Sequence, residues 1–145
     1  MTLDQQLQTL IAQAPADGQT PQALQTIAPI LRKIAESLPE LNYYICQSPQ
    51  GNWESVTLQH RHLPDLSRNV IYAYATSGQA ERAAAAGRVV GEIPVIALLF
   101  QLIALEPVDS IIFVPRTPQA PSQELQRQDL QQQIYQALSL PADLA

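Results

Sequence analysis

The sequence is poor in cysteine and in positive charge, and each shortage excludes a class of protein. Cys46 is the only cysteine among 145 residues, so an internal disulfide framework is impossible, and a zinc site built on several cysteines would need another chain. Lysine and arginine number 8 against 13 aspartates and glutamates, giving a net charge of −5. This balance argues against nucleic acid and anionic membranes as partners, because both repel an acidic surface.

Long apolar runs and targeting segments are also missing. The longest apolar run, Ile93–Leu105, contains Gln101 and falls short of the roughly 20 residues that span a bilayer. The N-terminal residues MTLDQQLQTL carry neither the basic and apolar segments of a signal peptide nor the arginines of a transit peptide. We therefore expect a cytoplasmic protein without a membrane span.

What the chain does contain is a succession of helical and strand patterns. Hydrophobic residues make up 46% of the sequence, which is enough for a folded core. Apolar residues at helical spacing predict two helices within 1–38 and a last helix over 122–138, while β-branched and aromatic runs within 42–115 predict a sheet. We expect one α+β domain over 1–145, with about four strands in a small antiparallel or mixed sheet flanked by helices, in the order ααβββααβα.

The sheet region contains four runs that predict strands. Ser77 is expected to cap a short helix over Gly78–Ala86, and Pro94 to open an apolar helix that ends at Leu105. That second helix is apolar nearly all round, so it must be covered on more than one side, either by the domain or on one face by a partner. The predicted strands are Asn42–Cys46, Trp53–Leu58, Asn69–Ala75 and Ser110–Val114.

One stretch resembles a known family. A strand with a serine-containing turn, a helix opened by proline and a closing apolar strand lie at Val70–Ser77, Ile93–Leu99 and Val108–Pro115. This arrangement resembles the SseB-like family, although that family usually ends its last strand in an Asn-Pro-like turn where this chain has Val114-Pro115. The resemblance implies a sheet with helices packed on it and a regulatory or interaction role, and it supplies no catalytic residue.

The composition carries a second resemblance. The chain is rich in glutamine, alanine and proline and poor in charge, with only 14% charged residues. In this it is similar to small cyanobacterial proteins, which include accessory subunits of photosynthetic complexes such as the ferredoxin-dependent complex I relative. Such an accessory role is an alternative function for the chain.

The sequence contains no catalytic constellation and no cofactor motif, so we expect neither an enzyme nor a bound cofactor. His60 and His62 would share one face of a strand, but Asp65 is the only carboxylate close to them, so they are weak candidates for metal ligands. A rival hypothesis is an enzyme or small-ligand binding protein with a pocket near Cys46, Trp53 and His60, where a histidine would activate the thiol.

Aromatic and arginine side chains are the best candidates for a partner-binding surface. Neighbouring strands can assemble alternate aromatics on one face, and such faces make interface hot spots. Tyr43 and Tyr44 are adjacent, so one must point to each face. Arginines around the third strand and the helix after it would suit an acidic partner. The candidate residues are Tyr43, Tyr44, Trp53, Tyr72, Tyr74, Arg61, Arg68, Arg82 and Arg88.

These observations favour a non-catalytic protein-interaction, accessory or regulatory subunit. Its partner would be another protein, a second copy of the same chain, or both. The outer side of Pro94–Leu105 is an alternative contact surface to the aromatic and arginine side chains.

Overall fold

The computed structural model describes residues 2–13, 20–59, 62–63 and 66–139. The helices in these ranges are α1 (Leu3–Ala12), α2 (Thr20–Glu36), α3 (Ser77–Ala83), α4 (Val95–Ala104) and α5 (Arg127–Ser139). The strands are β1 (Asn42–Gln47), β2 (Val56–Gln59), β3 (Ser67–Tyr74), β4 (Val89–Pro94), β5 (Ser110–Val114) and β6 (Gln123–Gln126). The predicted α+β class is confirmed, but the order is ααβββαβαββα.

Two strands, β4 and β6, were absent from the sequence prediction of about four strands. Both lie at the edges of the sheet, where a strand has one neighbour and needs no continuous apolar run. Gly91 and Glu92 interrupt the apolar pattern of β4, and three of the four residues of β6 are glutamine or glutamate. The second strand is also shorter than expected, because Trp53 forms only an isolated bridge with Gln47.

The sheet is mixed, with the strand order β4-β1-β3-β5-β6. Only β3 and β5 are parallel, and the other neighbouring pairs are antiparallel. β5 occupies one side of β3, so β1 and β2 share the other side. β1 pairs at the Tyr74 end of β3, and β2 pairs with Ser67–Val70.

One face of the sheet, here called the core face, packs against the layer formed by α1, α2, α4 and α5. It carries Tyr43 and Ile45 from β1, Ile71 from β3, and Ile111 and Phe113 from β5, all buried in one cluster with helix residues. The fully buried side chains of α4 belong to the same cluster, together with Leu31 of α2 and Leu130 of α5. The opposite side is called the outer face below.

The apolar helix is α4, and the domain itself covers it. Its neighbours are α1, α2, α5 and β4. Five of its ten residues are buried, whereas Gln101 and Ala104 are exposed. α4 is therefore buried mainly inside the domain, and a partner contact on its exposed side, at Gln101 and Ala104, stays a prediction.

A buried glutamine completes the N-terminus of α4. Pro94 precedes the helix and provides no side-chain cap. Gln6 of α1 takes this role: its Oε1 accepts a hydrogen bond from the Ile96 amide at 3.0 Å, and its Nε2 donates to the Leu41 carbonyl at 3.0 Å. Gln6 is only 3% exposed, so these bonds satisfy backbone groups that water reaches poorly.

Helix α3 begins one residue earlier than the sequence indicated. Thr76, not Ser77, is its N-cap: the Thr76 hydroxyl accepts a hydrogen bond from the Gln79 amide at 3.2 Å. The Gln79 side chain in turn accepts a hydrogen bond from the Thr76 amide at 3.1 Å, which makes a capping box. The helix ends at Ala83, before the Ala86 that the sequence predicted as its last residue.

The two cap assignments are separated by a pair of alanine variants. Thr76→Ala should lower the free energy of unfolding by about 1 kcal/mol, because the Gln79 amide loses its acceptor. Ser77→Ala should change it by less than about 0.5 kcal/mol, because Ser77 is exposed and already inside the helix. Urea unfolding followed by circular dichroism measures both free energies. A larger loss of stability for Ser77→Ala than for Thr76→Ala would show that Ser77 is the N-cap, as the sequence predicted.

Among the described residues, no helix has the length and hydrophobicity needed to cross a membrane.

Candidate functional site

The outer face of the sheet carries a row of partly exposed aromatic and aliphatic side chains. Strand register places them together, because Tyr44 pairs with Tyr74, Tyr72 with Ile112, and Tyr74 with Val114. Directly paired residues point to the same side of a sheet. β2 extends the row, since Val56 pairs with Val70, two residues before Tyr72. The outer-face row is Tyr44, Val56, Leu58, Tyr72, Tyr74, Ile112 and Val114.

Two tyrosines of this row stack on each other. The rings of Tyr72 and Tyr74 are 6.2 Å apart with 27° between their planes, which fits the side-by-side placement of residues i and i+2 on one strand. Partial burial raises the pKa of Tyr74. The stacked pair presents a preorganised aromatic surface, because the two rings restrict each other's rotation.

The third outer tyrosine is fixed across the sheet. The Tyr44 hydroxyl donates a hydrogen bond to Oε2 of Glu92 on β4 at 2.9 Å. This bond to the carboxylate raises the pKa of Tyr44, because ionisation of the phenol would place two negative charges side by side. Tyr44 therefore stays a neutral donor at physiological pH, and its ring is held over β1.

Tyr43 and Trp53 belong to the opposite side of the sheet. Tyr43 is 1% exposed and meets the Phe113 ring edge-on, with centroids 5.0 Å apart and 65° between the planes. Its burial raises the pKa of the phenol to about 12. Trp53 faces Gln47 across the sheet and packs against the core. Of the five aromatics singled out from sequence, only Tyr44, Tyr72 and Tyr74 lie on the outer face.

Cys46 lies under α3, on the outer side of β1. Its thiol donates to the Ala80 carbonyl of α3 at 3.5 Å. Burial and the nearby Glu54 carboxylate raise the pKa of the thiol, which disfavours a nucleophilic thiolate. Gln47, the neighbour of Cys46 along β1, points to the other face together with Trp53. Cys46 and Trp53 are thus separated by the sheet and do not line one pocket.

The arginines around β3 and α3 are dispersed, and two of them have compensated charges. Arg68 pairs with Glu124 at 2.9 Å, and the Arg88 guanidinium contacts Glu54 at 2.5 Å. Arg82 is in the last turn of α3 and is exposed. Arg61 lies outside the described residues. The two ion pairs lie beside the outer face, at different ends of the sheet.

The histidine pair predicted as a weak metal site is only half described. His60 and Asp65 lie outside the described residues, and His62 is exposed. Within the described ranges, no group of three or more histidine, cysteine, aspartate or glutamate side chains is placed to hold a metal ion.

A polar cleft of about 560 Å³ lies where β3, β5, β6 and the start of α5 meet. The buried Ser110 donates a hydrogen bond from its hydroxyl to Glu124 at 2.6 Å, and Glu124 also binds Arg68. Asp109 accepts from the Asn69 amide at 2.7 Å. The charges of this cleft neutralise one another. The cleft was not predicted from the sequence, because its residues come from strands up to 60 positions apart, and one of these strands is the unpredicted β6.

Comparison with known proteins provides no assignment. No family model matches the chain, and a search of curated proteins finds no significant match.

Proposed function

We propose that this protein is a non-catalytic interaction or accessory subunit whose protein partner binds the outer-face row. The observation that carries the proposal is the placement of Tyr44, Tyr72, Tyr74 and Ile112 on the side of the sheet opposite the helical layer. A sheet face that is not covered by helices normally turns polar residues toward water. Here the exposed side is aromatic and aliphatic at its centre.

The cover on the outer face is partial. α3 has only seven residues, and it is held over one end of the sheet by the Cys46 contact and by a hydrogen bond from Gln79 to the Pro115 carbonyl at 2.8 Å. Tyr72 and Ile112 stay partly exposed, and Val56 on β2 is 38% exposed. Contiguous apolar surface of this kind is typical of interaction sites.

The chemistry of the row defines the partner. Rigid tyrosines bury a large apolar area and keep a hydroxyl for hydrogen bonding, a combination found at interface hot spots. The surrounding charges are local pairs, Arg68 with Glu124 and Arg88 with Glu54. The fitting partner is a protein with an apolar contact centre and a polar rim, rather than a ligand selected by net charge.

The proposal agrees with the interaction role implied by the SseB-like resemblance of Val70–Pro115, and that resemblance stays a prediction. The photosynthetic accessory role also stays a prediction, since it depends on composition alone. The rival pocket hypothesis also stays a prediction: Cys46 and Trp53 lie on opposite faces of the sheet, and His60 lies outside the described residues.

Two tyrosine-to-alanine variants test the outer face with the same chemical change. Tyr72→Ala removes a ring from the outer-face row, whereas Tyr135→Ala removes one from the exposed surface of α5, where Tyr135 is 66% exposed. For a partner isolated from the source organism, Tyr72→Ala should weaken the Kd by about tenfold to thirtyfold, and Tyr135→Ala by less than about twofold.

The measurement is isothermal titration calorimetry with the isolated partner, with thermal unfolding of each variant as the folding control. Equal affinities for wild type and Tyr72→Ala would place the partner elsewhere. Failure of the native extract to yield any partner, together with a monomeric state at high concentration, would overturn the interaction role itself.

A further inference from the structure

We propose that the free edge of β4 pairs with β4 of a second copy of this chain, in antiparallel orientation and centred on Gly91. In the described part of the chain, β4 is an end strand of the sheet and β1 is its only strand partner. This inference is independent of the outer-face proposal, because it concerns the backbone edge and not the side chains of the outer-face row.

The register of the β1–β4 pair determines which backbone groups the edge presents. The Val95 amide donates to the Leu41 carbonyl at 2.9 Å, one step beyond the paired Asn42 and Pro94. Hydrogen-bonded pairs alternate along an antiparallel ladder, so Ile93, Gly91 and Val89 bond to β1. The N–H and C=O groups of Val90 and Glu92 therefore point away from β1, toward the free edge.

The edge of β4 has few of the features that protect exposed strands. Sheets commonly block their edges with charged residues, proline or a bulge, and β4 has only Glu92 and, as its last residue, Pro94. Its one charged residue, Glu92, is bound to the Tyr44 hydroxyl. Val89 at one end of the strand is 47% exposed, so an apolar side chain lies next to the outward-pointing backbone groups of Val90.

A second copy fits this edge because the strand is complementary to itself about Gly91. With Gly91 opposite Gly91 of the second copy, Val90 exchanges both of its hydrogen bonds with Glu92 of that copy, and Glu92 does the same with Val90. All four outward groups of each strand are then satisfied. The centre of the pairing falls on two glycines without side chains of their own, and the Gln47 side chain of each copy lies over its own Gly91.

Side chains and charges support the same register. Val89 lies opposite Ile93 of the second copy on the core face, so two apolar residues meet at each end. Glu92 lies opposite Val90 of the second copy, so its direct partner carries no like charge. A shift of one position that placed Glu92 opposite Glu92 would bring like charges together and use Pro94, which has no N–H.

The pairing would join two sheets into one and would display both outer faces on the same side, because the symmetry axis of an antiparallel pair is perpendicular to the sheet. A partner with two contact sites would then bind both copies with increased avidity.

The first test is the oligomeric state and its response to charge at position 90. Light scattering on a concentration series should give a mass that rises from 16.0 kDa toward twice that value. Val90→Lys places a cation opposite Glu92 of the second copy, and Val90→Glu places an anion there. The dimer Kd should be at least about tenfold lower for Val90→Lys than for Val90→Glu.

Disulfide trapping tests the register in variants that keep Val90. In a chain with Cys46→Ser, Val89→Cys and Ile93→Cys are prepared separately and mixed under mild oxidation. The mixture should form a disulfide-linked dimer, because positions 89 and 93 face each other. Neither variant alone should do so, because its two cysteines would be roughly 13 Å apart along the strands.

A wild-type chain that stays monomeric up to about 1 mM would overturn the inference, since even millimolar association would be seen there. A dimer with equal Kd values for Val90→Lys and Val90→Glu, or without the mixed disulfide, would overturn the β4 pairing. Binding of the outer-face partner is tested separately with Tyr72→Ala, so either proposal can be contradicted without affecting the other.

Discussion

Replacing Leu98 by alanine is expected to lower the free energy of unfolding by about 2–5 kcal/mol. Leu98 has no exposed surface and lies in the middle of α4, where other helices of the domain cover it. Removing three carbon atoms there loses apolar burial and leaves a cavity that the neighbouring helices fill only in part. Urea or thermal unfolding of the isolated protein measures the loss.

Gln101→Ala on the same helix is the matched control. Gln101 is exposed, so this change should alter the free energy of unfolding by less than about 0.5 kcal/mol. If α4 were instead an interface helix that a partner covers, Leu98→Ala would cost the isolated protein little, and the two variants would be alike. That outcome would contradict the internal burial of α4.

Replacing Gln6 by leucine should lower the free energy of unfolding by about 1–3 kcal/mol, although leucine has a similar size and a higher hydrophobicity. The reason is the Ile96 amide, which donates to Gln6 at 3.0 Å and which leucine would leave without an acceptor in a buried position. The Leu41 carbonyl would lose its bond from Gln6 but keep the one from the Val95 amide at 2.9 Å. Chemical denaturation provides the measurement.

Gln8→Leu controls for the change in helix propensity and hydrophobicity. Gln8 lies on the same helix but is exposed, and its replacement should be nearly neutral. If Gln6→Leu proved as mild as Gln8→Leu, α1 would not provide the cap of α4. The Ile96 amide would then have a different acceptor.

The elements that local pattern determines were predictable from the sequence. Ser110–Val114 is a continuous apolar run and became the strand β5, and the apolar helix α4 begins within one residue of the predicted Pro94. The edge strands were missed because an edge needs only one neighbour and little apolar sequence. β4 and β6 are therefore properties of the assembled sheet more than of their own residues.

The residue types of the candidate site were predictable from the sequence, but the face of the sheet on which each side chain lies was not. Alternation requires Tyr43 and Tyr44 to point to opposite faces, yet the sequence does not say which face packs against helices. That choice depends on the register between β1 and β3, which pairs Tyr44 with Tyr74 thirty residues away. The role of Gln6 was unpredictable for a similar reason, because its hydrogen-bond partners Leu41 and Ile96 are 35 and 90 residues away along the chain.

The most direct test of the central claim, that the outer-face row binds a protein partner, is site-specific photo-crosslinking in the source organism. A photoreactive phenylalanine analogue replaces Tyr72 in one variant and Tyr135 in another, both partly or fully exposed aromatics on opposite layers of the domain. Position 72 should give one predominant crosslinked protein, and position 135 should not give that product. The same crosslinked protein from both positions, or from position 135 alone, would contradict the account.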